Sequence, residues 1–290
     1  MTARSYLYVP GDAGDRLLRA SSRGADAIIA DLEDSVAPAN RRAAVEAVAA
    51  WLAGGNRDGS RWVRVTSATD AADQLAHFTD ESPDGVVIPK VSSVSEVARV
   101  VEVLRALEDG GRRPAIRVMP LIETARALQS VDDIAAHPGV TALQLGELDL
   151  AADLGVMAGA DEQELLFARS RVVVASAAAG IEAPVGPVSP DFSNLEVLRV
   201  TTQRLQRLGF AGRAVIHPRQ IAVVNEVFTP SAEEVQDARR VLASYEAAVA
   251  SGSGVLVGHD GRMVDLAVVR MSQRVVALAS GGQVCRTEER

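Results

Sequence analysis

Cysteine is almost missing from this chain: the single Cys285 sits in the polar tail GGQVCRTEER, which excludes an intramolecular disulfide and any cysteine-built zinc site. Aromatic residues are scarce as well, at 3% against 48% hydrophobic residues overall. The interior must therefore be packed mainly by Ala, Val, Leu and Ile, as small-residue helices lying on parallel strands allow. Positive charge is in deficit. A net charge of −8 and a pI near 5.1 exclude the global basic field that attracts nucleic acid or anionic membrane. No apolar run approaches the ~20 residues needed to span a bilayer, and MTARSYLYVPGD lacks the long apolar region of a signal peptide. A cytoplasmic protein with no nucleic-acid or membrane partner is expected. GxGxxG, Walker, HExxH and GxSxG motifs are also absent, so a nucleotide cofactor bound by one of those loops is not supported.

What the chain does have is a rhythm of short apolar runs: SYLYV, AIIADLED, RWVRVT, GVVIPK, IRVMPLIE, ALQLGELD, EAPVG and AVIHP. Between them lie segments of helical spacing: 15–23, 40–52, 70–78, 95–107, 124–136, 162–179, 193–208 and 218–227. Strand and helix alternate eight times, which implies a parallel sheet with right-handed crossovers and the number of units that closes a (β/α)8 TIM barrel. An open doubly wound sheet is the alternative, with fewer strands. After Phe228 the pattern changes. SAEEVQDARRVLASYEAAVASG opens with a Ser231…Glu234 capping box and reads as a long amphipathic helix, GVLVGHDGRMVD as a hairpin around His259-Asp260-Gly261, and LAVVRMSQRVVALAS as a last helix. The expectation is a catalytic barrel over 1–228 and a helix-hairpin-helix extension over 229–290 that packs on the barrel or on a neighbouring subunit.

In such barrels the active site lies at the C-terminal face, so polar residues closing the strands are the candidates. Glu123 closes IRVMPLIE and Asp149 follows ALQLG. Taken singly, Glu123 fits the first turn of its helix and Asp149 fits an N-cap. Together, two carboxylates from neighbouring strand ends, with other positions left to water and substrate, are how proteins hold Mg²⁺. Alternation in RWVRVT sends Trp62, Arg64 and Thr66 to one face; an inward Arg64 suits a carboxylate or enolate oxygen, and an outward one would snorkel between helices. Asp31, Glu33 and Asp34 crowd one strand mouth, where they could cap the next segment or order metal-bound water. Lys90 and His217 are wall residues or chemical ones. Asp265 precedes the last helix as a default N-cap, on an appendage that could reach another protomer's barrel.

Read in order, YLYVPGD, DLEDSVAPANRRAA, WVRV, VIPKV, PLIETARAL, LGELDLAADLG and GFAGRAVIHPRQIAVVNEVFTPSAEEVQDARRVL resemble the citrate lyase β-subunit-like proteins of the HpcH/HpaI aldolase/citrate lyase family, from about Ser5 to Ala279. Relatives include malyl-CoA and citramalyl-CoA lyases. The resemblance implies a (β/α)8 barrel that binds Mg²⁺ and cleaves or forms a carbon–carbon bond next to a thioester. It makes Glu123 and Asp149 metal ligands, with Glu123 also against substrate, and Arg64 a group facing substrate oxygens. Glu33, Asp34 and Lys90 would surround them, and Asp265 would act in trans in a trimer or a dimer of trimers. The expected reaction joins or separates a short 3-hydroxyacyl-CoA and acetyl-CoA plus a 2-oxo acid. Alternatives are a citrate lyase subunit working on an acyl-carrier thioester, a CoA-independent 2-oxo acid aldolase, an acyl-CoA thioesterase and a non-catalytic barrel subunit. Two departures fall near the expected pocket: Thr66 stands where relatives usually have Asn, and Val185-Gly186 where many have Ile-Asp.

Overall fold

A computed structural model describes residues 3–54, 58–78, 82–107, 115–250, 256–257 and 263–280. Eight parallel strands close on themselves in sequence order: β1 (Ser5–Pro10), β2 (Ala27–Asp31), β3 (Ser60–Arg64), β4 (Gly85–Ile88), β5 (Arg117–Ile122), β6 (Gln144–Leu145), β7 (Val185–Gly186) and β8 (Gly212–Val215). Ser5 pairs with Arg213 to complete the ring. Helices α1 (Gly14–Ala20), α2 (Arg41–Ala53), α3 (Ala71–Leu75) and α4 (Val94–Leu107) follow the first four strands. α5 (Ala125–Gln129), α6 (Val131–Ala135), α7 (Glu147–Leu154), α8 (Leu166–Ala178), α9 (Leu195–Leu208) and α10 (Pro218–Phe228) follow the rest. The architecture is a TIM barrel, as the alternation of the sequence predicts.

The few aromatics are concentrated where the barrel needs bulk. Tyr6 and Trp62 meet edge to face inside the barrel with ring centroids 5.9 Å apart, and the Arg117 guanidinium lies 4.6 Å from the Trp62 ring. Around them Ala27, Ile29, Val87, Met119, Leu121 and Val185 fill the interior. Outward-facing Arg61 donates to the carbonyls of Trp51 and Leu52 at 2.8 Å, satisfying acceptors that the end of α2 leaves open.

Three elements differ from the sequence reading. The segment 124–136 is two short helices, because the Ser130 N–H turns back to the carbonyls of Ala127 and Arg126 and closes α5. The run ALQLGELD contains only two strand residues: Gly146 still donates to Ile122 O at 2.9 Å, and a helix starts immediately after it. Two carboxylates, Glu147 and Asp149, occupy the first turn of α7, where the helix dipole favours negative charge. EAPVG likewise contributes only Val185 and Gly186 as strand.

By contacts the chain divides into a unit of residues 2–226 and a unit of residue 1 with 227–290. In the latter, α11 (Ala232–Ala250) begins with a reciprocal capping box, Ser231 N–H to Glu234 Oε2 at 2.7 Å and Glu234 N–H to Ser231 Oγ at 3.1 Å. β9 (Leu256–Val257) and β10 (Met263–Val264) pair antiparallel, while the turn predicted at 259–261 lies outside the described residues. Helix α12 (Leu266–Ala279) packs on α11. Among the described residues no helix is long and apolar enough to cross a membrane.

Gly85 in the barrel wall has no room for a side chain: an added Cβ would stand 2.3 Å from the Trp62 ring. Gly14, at the start of α1, has nothing within 4 Å. Gly85→Ala should cost about 1–3 kcal/mol by overpacking. Gly14→Ala should be neutral or stabilise by about 0.4–1 kcal/mol, both read by denaturant unfolding.

Candidate active site

At the C-terminal mouth of the barrel a cavity of about 480 Å³ opens among Tyr8, Asp31, Arg64, Glu123, Gln144 and Asp149. Arg64 points inward with Trp62, as the alternation requires. Asp31 and Arg64 are register partners on β2 and β3, and their side chains meet as a two-pronged pair. Arg64 Nε donates to Asp31 Oδ1 at 2.6 Å and Nη2 to Oδ2 at 2.7 Å. The planar fork matches a carboxylate in a way that lysine does not. Nη1 ion-pairs with Glu33 Oε2 at 2.9 Å, and the guanidinium lies 5.1 Å from the Tyr8 ring. Asp31 is also fixed by its own loop, accepting the backbone N–H of Glu33 at 3.1 Å. The Arg64 guanidinium holds the Asp31 carboxyl below its usual range despite burial.

Lys90 joins two carboxylates. Its ammonium lies 2.5 Å from Glu33 Oε1 and 3.3 Å from Asp34 Oδ1, and its backbone N–H donates to Glu123 Oε1 at 2.6 Å. That N–H faces Glu123 from a left-handed backbone, φ 52°, which only a minority of non-glycine residues adopt. Burial raises the pKa of the Glu33 carboxyl. Asp34 and Lys90 are themselves exposed.

Glu123 is buried. It does not occupy the first turn of its helix: Thr124 is the N-cap, accepting from Ala127 N–H at 3.0 Å, and Glu123 stands just before it, aimed into the cavity. Gly146 makes room for it, since a Cβ there would lie 2.7 Å from Glu123 Cβ and 3.0 Å from Oε2. Asp149 is exposed, in the first turn of α7 and not at its cap, which is Gly146. Burial pushes the Glu123 carboxyl up to about 7; the Lys90 N–H opposes the rise and the charges of Asp149 and Glu33 add to it. Among the described residues no cluster of three or more His, Cys, Asp or Glu side chains is arranged to hold a metal. An all-oxygen pair that leaves most coordination positions to water and substrate is the kind of donor set Mg²⁺ accepts, so Glu123 and Asp149 fit that ion.

Sequence reasoning missed three contributors. Spacing makes Asp31 one of an acidic triplet with Glu33 and Asp34, yet it alone is the bidentate partner of Arg64. Tyr8 donates its hydroxyl to Gln144 Oε1 at 2.9 Å across 136 residues of sequence; the signal available was a polar residue inside the apolar run LQL. Glu147 is clamped by buried Arg169 of α8, Nε to Oε1 at 2.5 Å and Nη2 to Oε2 at 2.7 Å, which fixes the first turn of α7 and Asp149 with it.

Other candidates do different work. His217 stacks on Phe192, centroids 4.8 Å apart, and its Nδ1 accepts from Arg219 N–H at 3.2 Å. Asp265 is exposed and caps α12, its Oδ1 accepting from Val268 N–H at 3.0 Å. The two departures from the family pattern have packing explanations. Thr66 is tied to Leu32 O at 3.2 Å and by its N–H to Gln74 Oε1 at 2.9 Å. Gly186 faces outward, where a Cβ would meet Leu205 at 2.8 Å.

A family model described as HpcH/HpaI aldolase/citrate lyase matches residues 4–218, and one described as a C–C bond lyase of the TIM-barrel fold matches 173–267. Fold and motifs thus place the chain among barrel carbon–carbon lyases. It belongs to the HpcH/HpaI aldolase/citrate lyase family. A (3S)-malyl-CoA thioesterase of Cereibacter sphaeroides is 32% identical over 95% of this chain and 94% of its own. An L-malyl-CoA/beta-methylmalyl-CoA lyase of the same species is 33% identical over the same shares. Among solved structures, the CitE protein of Mycobacterium tuberculosis in complex with magnesium, acetoacetate and coenzyme A superposes with a TM-score of 0.77 at 29% identity, covering 96% of this chain and 98% of that one.

The elevated Glu123 carboxyl has a measurable sign. The folded chain holds that proton up to about pH 7, whereas an ordinary glutamate releases it near 4.5, so stability falls as pH rises between those values. In buffer with a chelator, Glu123→Gln should remove this slope. Urea titrations should show the variant gaining on the wild type by on the order of a few kcal/mol above pH 7.

Proposed function

We propose that this protein is a Mg²⁺-dependent carbon–carbon lyase acting on a short 3-hydroxyacyl-CoA of the malyl-CoA or citramalyl-CoA type, releasing acetyl-CoA and a 2-oxo acid and reversible by Claisen condensation. The observation that carries this reading is the convergence of Glu123, Asp149 and Arg64 on one cavity. Glu123 and Asp149 would hold the cation. Bound there, it supplies Lewis acidity that lowers the pKa of the substrate hydroxyl and polarises the nascent ketone.

The chain's own groups do the rest. In cleavage the hydroxyl gives its proton to solvent, the carbon–carbon bond breaks with its electron pair passing to the thioester enolate, and the enolate carbon takes up a proton. Arg64, pinned by Asp31 and Glu33, keeps N–H hydrogens on Nη1 and Nη2 beyond those its carboxylates take. These face the developing negative oxygens without reorganising. Lys90 and the acid pair Glu33 and Asp34 keep Arg64 and Glu123 in place. Asp265, exposed at the start of α12, is assigned as the acid that delivers the proton to carbon, from a neighbouring copy in a homo-oligomer. Exposed apolar side chains on α7 and α8, including Leu148, Leu154 and Phe167, supply surface for such an assembly.

A second reading has a specific observation behind it, the likeness to a malyl-CoA thioesterase. There the thioester would be hydrolysed and free CoA, not acetyl-CoA, would appear with the acid. Chromatography of products from malyl-CoA decides between the two.

With the lyase reading, Glu123→Ala and Asp149→Ala should abolish Mg²⁺-dependent cleavage, and Arg64→Lys should lower kcat by about a hundredfold or more. Full metal-dependent activity in Glu123→Ala would reject the assignment. Because Glu123 must shed its proton to bind a cation, calorimetric Mg²⁺ affinity should strengthen as pH rises through about 7.

A further inference from the structure

The cavity floor is polar where the barrel below it is not. Gln144 lies in register with Leu121 on one side and Val185 on the other, both members of the apolar interior. It is only 3% exposed. An amide in that layer costs free energy unless its groups are paired. Tyr8 pairs one of them, donating its hydroxyl to Gln144 Oε1 at 2.9 Å. The amide nitrogen has no protein partner among the described residues, and the residue lines the cavity. The same Tyr8 carries Arg64 over its ring, so one aromatic side chain orients two donors toward one space. Glu123 stands one inward step above Leu121 on its strand, and Gly146 one such step above Gln144 on its own. The amide therefore lies one layer below the carboxylate expected to hold the cation, on the adjacent strand.

We propose that Gln144 is a substrate-binding residue: its amide N–H, held by the Tyr8 hydroxyl, donates to a carboxylate oxygen of the 2-oxo acid while Arg64 grips the acid from the side. Tyr8 is then a positioning residue that acts through Gln144. This deepens the lyase reading and rests on it for the identity of the acid.

The test uses the full-length Mg²⁺-loaded protein with glyoxylate and pyruvate, in condensation with acetyl-CoA and, separately, in calorimetry of the acid without thioester. Gln144→Leu should raise KM and Kd for the acid about 10- to 100-fold, the loss expected for a hydrogen bond to a charged group, with the KM for acetyl-CoA unchanged. Gln144→Glu should bind the acid more weakly still, through like-charge repulsion. Tyr8→Phe, which keeps the ring under Arg64, should weaken it only a few-fold. A folded Gln144→Leu protein with wild-type acid affinity would overturn the inference, as would an equal loss toward acetyl-CoA. If the wild type forms no carbon–carbon bond but binds the acid in a Gln144-dependent way, the lyase reading fails and the inference stands. A wild type that binds neither acid overturns both.

Discussion

Asp31 and Arg64, side by side on adjacent strands, form the interaction on which the rest of the site depends. A guanidinium directed into a barrel gives up much of its hydration and is paired by protein. The parallel register supplies the partner at the same level, and Glu33 and Lys90 extend the pair into an alternation of opposite charges. That chain of contacts runs from the second strand to the fourth and, through the Lys90 N–H, to Glu123 on the fifth. The donors are in place before any substrate arrives, which is the condition under which electrostatic stabilisation of a transition state costs least.

The barrel was legible because its strands are short, apolar and regularly spaced, and because alternation in RWVRVT puts Arg64 on the face of Trp62. Glu123 was legible as the polar close of an apolar run. What the sequence concealed follows from three physical facts. LQLGELDLAADLG satisfies strand and helix periodicity at once, so the two-residue β6 and the start of α7 could not be separated by pattern. A contact across the barrel, such as Tyr8 to Gln144, shows locally only as a polar residue inside LQL, with nothing to name its partner. A left-handed lysine is not announced by composition, so the role of the Lys90 main chain emerges only from the backbone.

Thr66 and Gly186 show how a departure from a family pattern can mislead. Each falls where a pocket residue was expected, and each is explained by packing: a loop tied to Gln74, and a wall position with no space beside Leu205. The cavity is lined instead by Gln144, Leu121, Val188 and Ile216. Variation in substrate among relatives is better sought there.

The clamp from Arg169 to Glu147 has a further consequence. Glu123 inherits its place from a strand, but Asp149 inherits its place from the outer helical layer, because α8 holds the turn that carries it. The two carboxylates thus answer to different parts of the molecule. Sequence drift in the helical layer can shift one of them and leave the other fixed, giving evolution a way to retune the site without rebuilding the barrel.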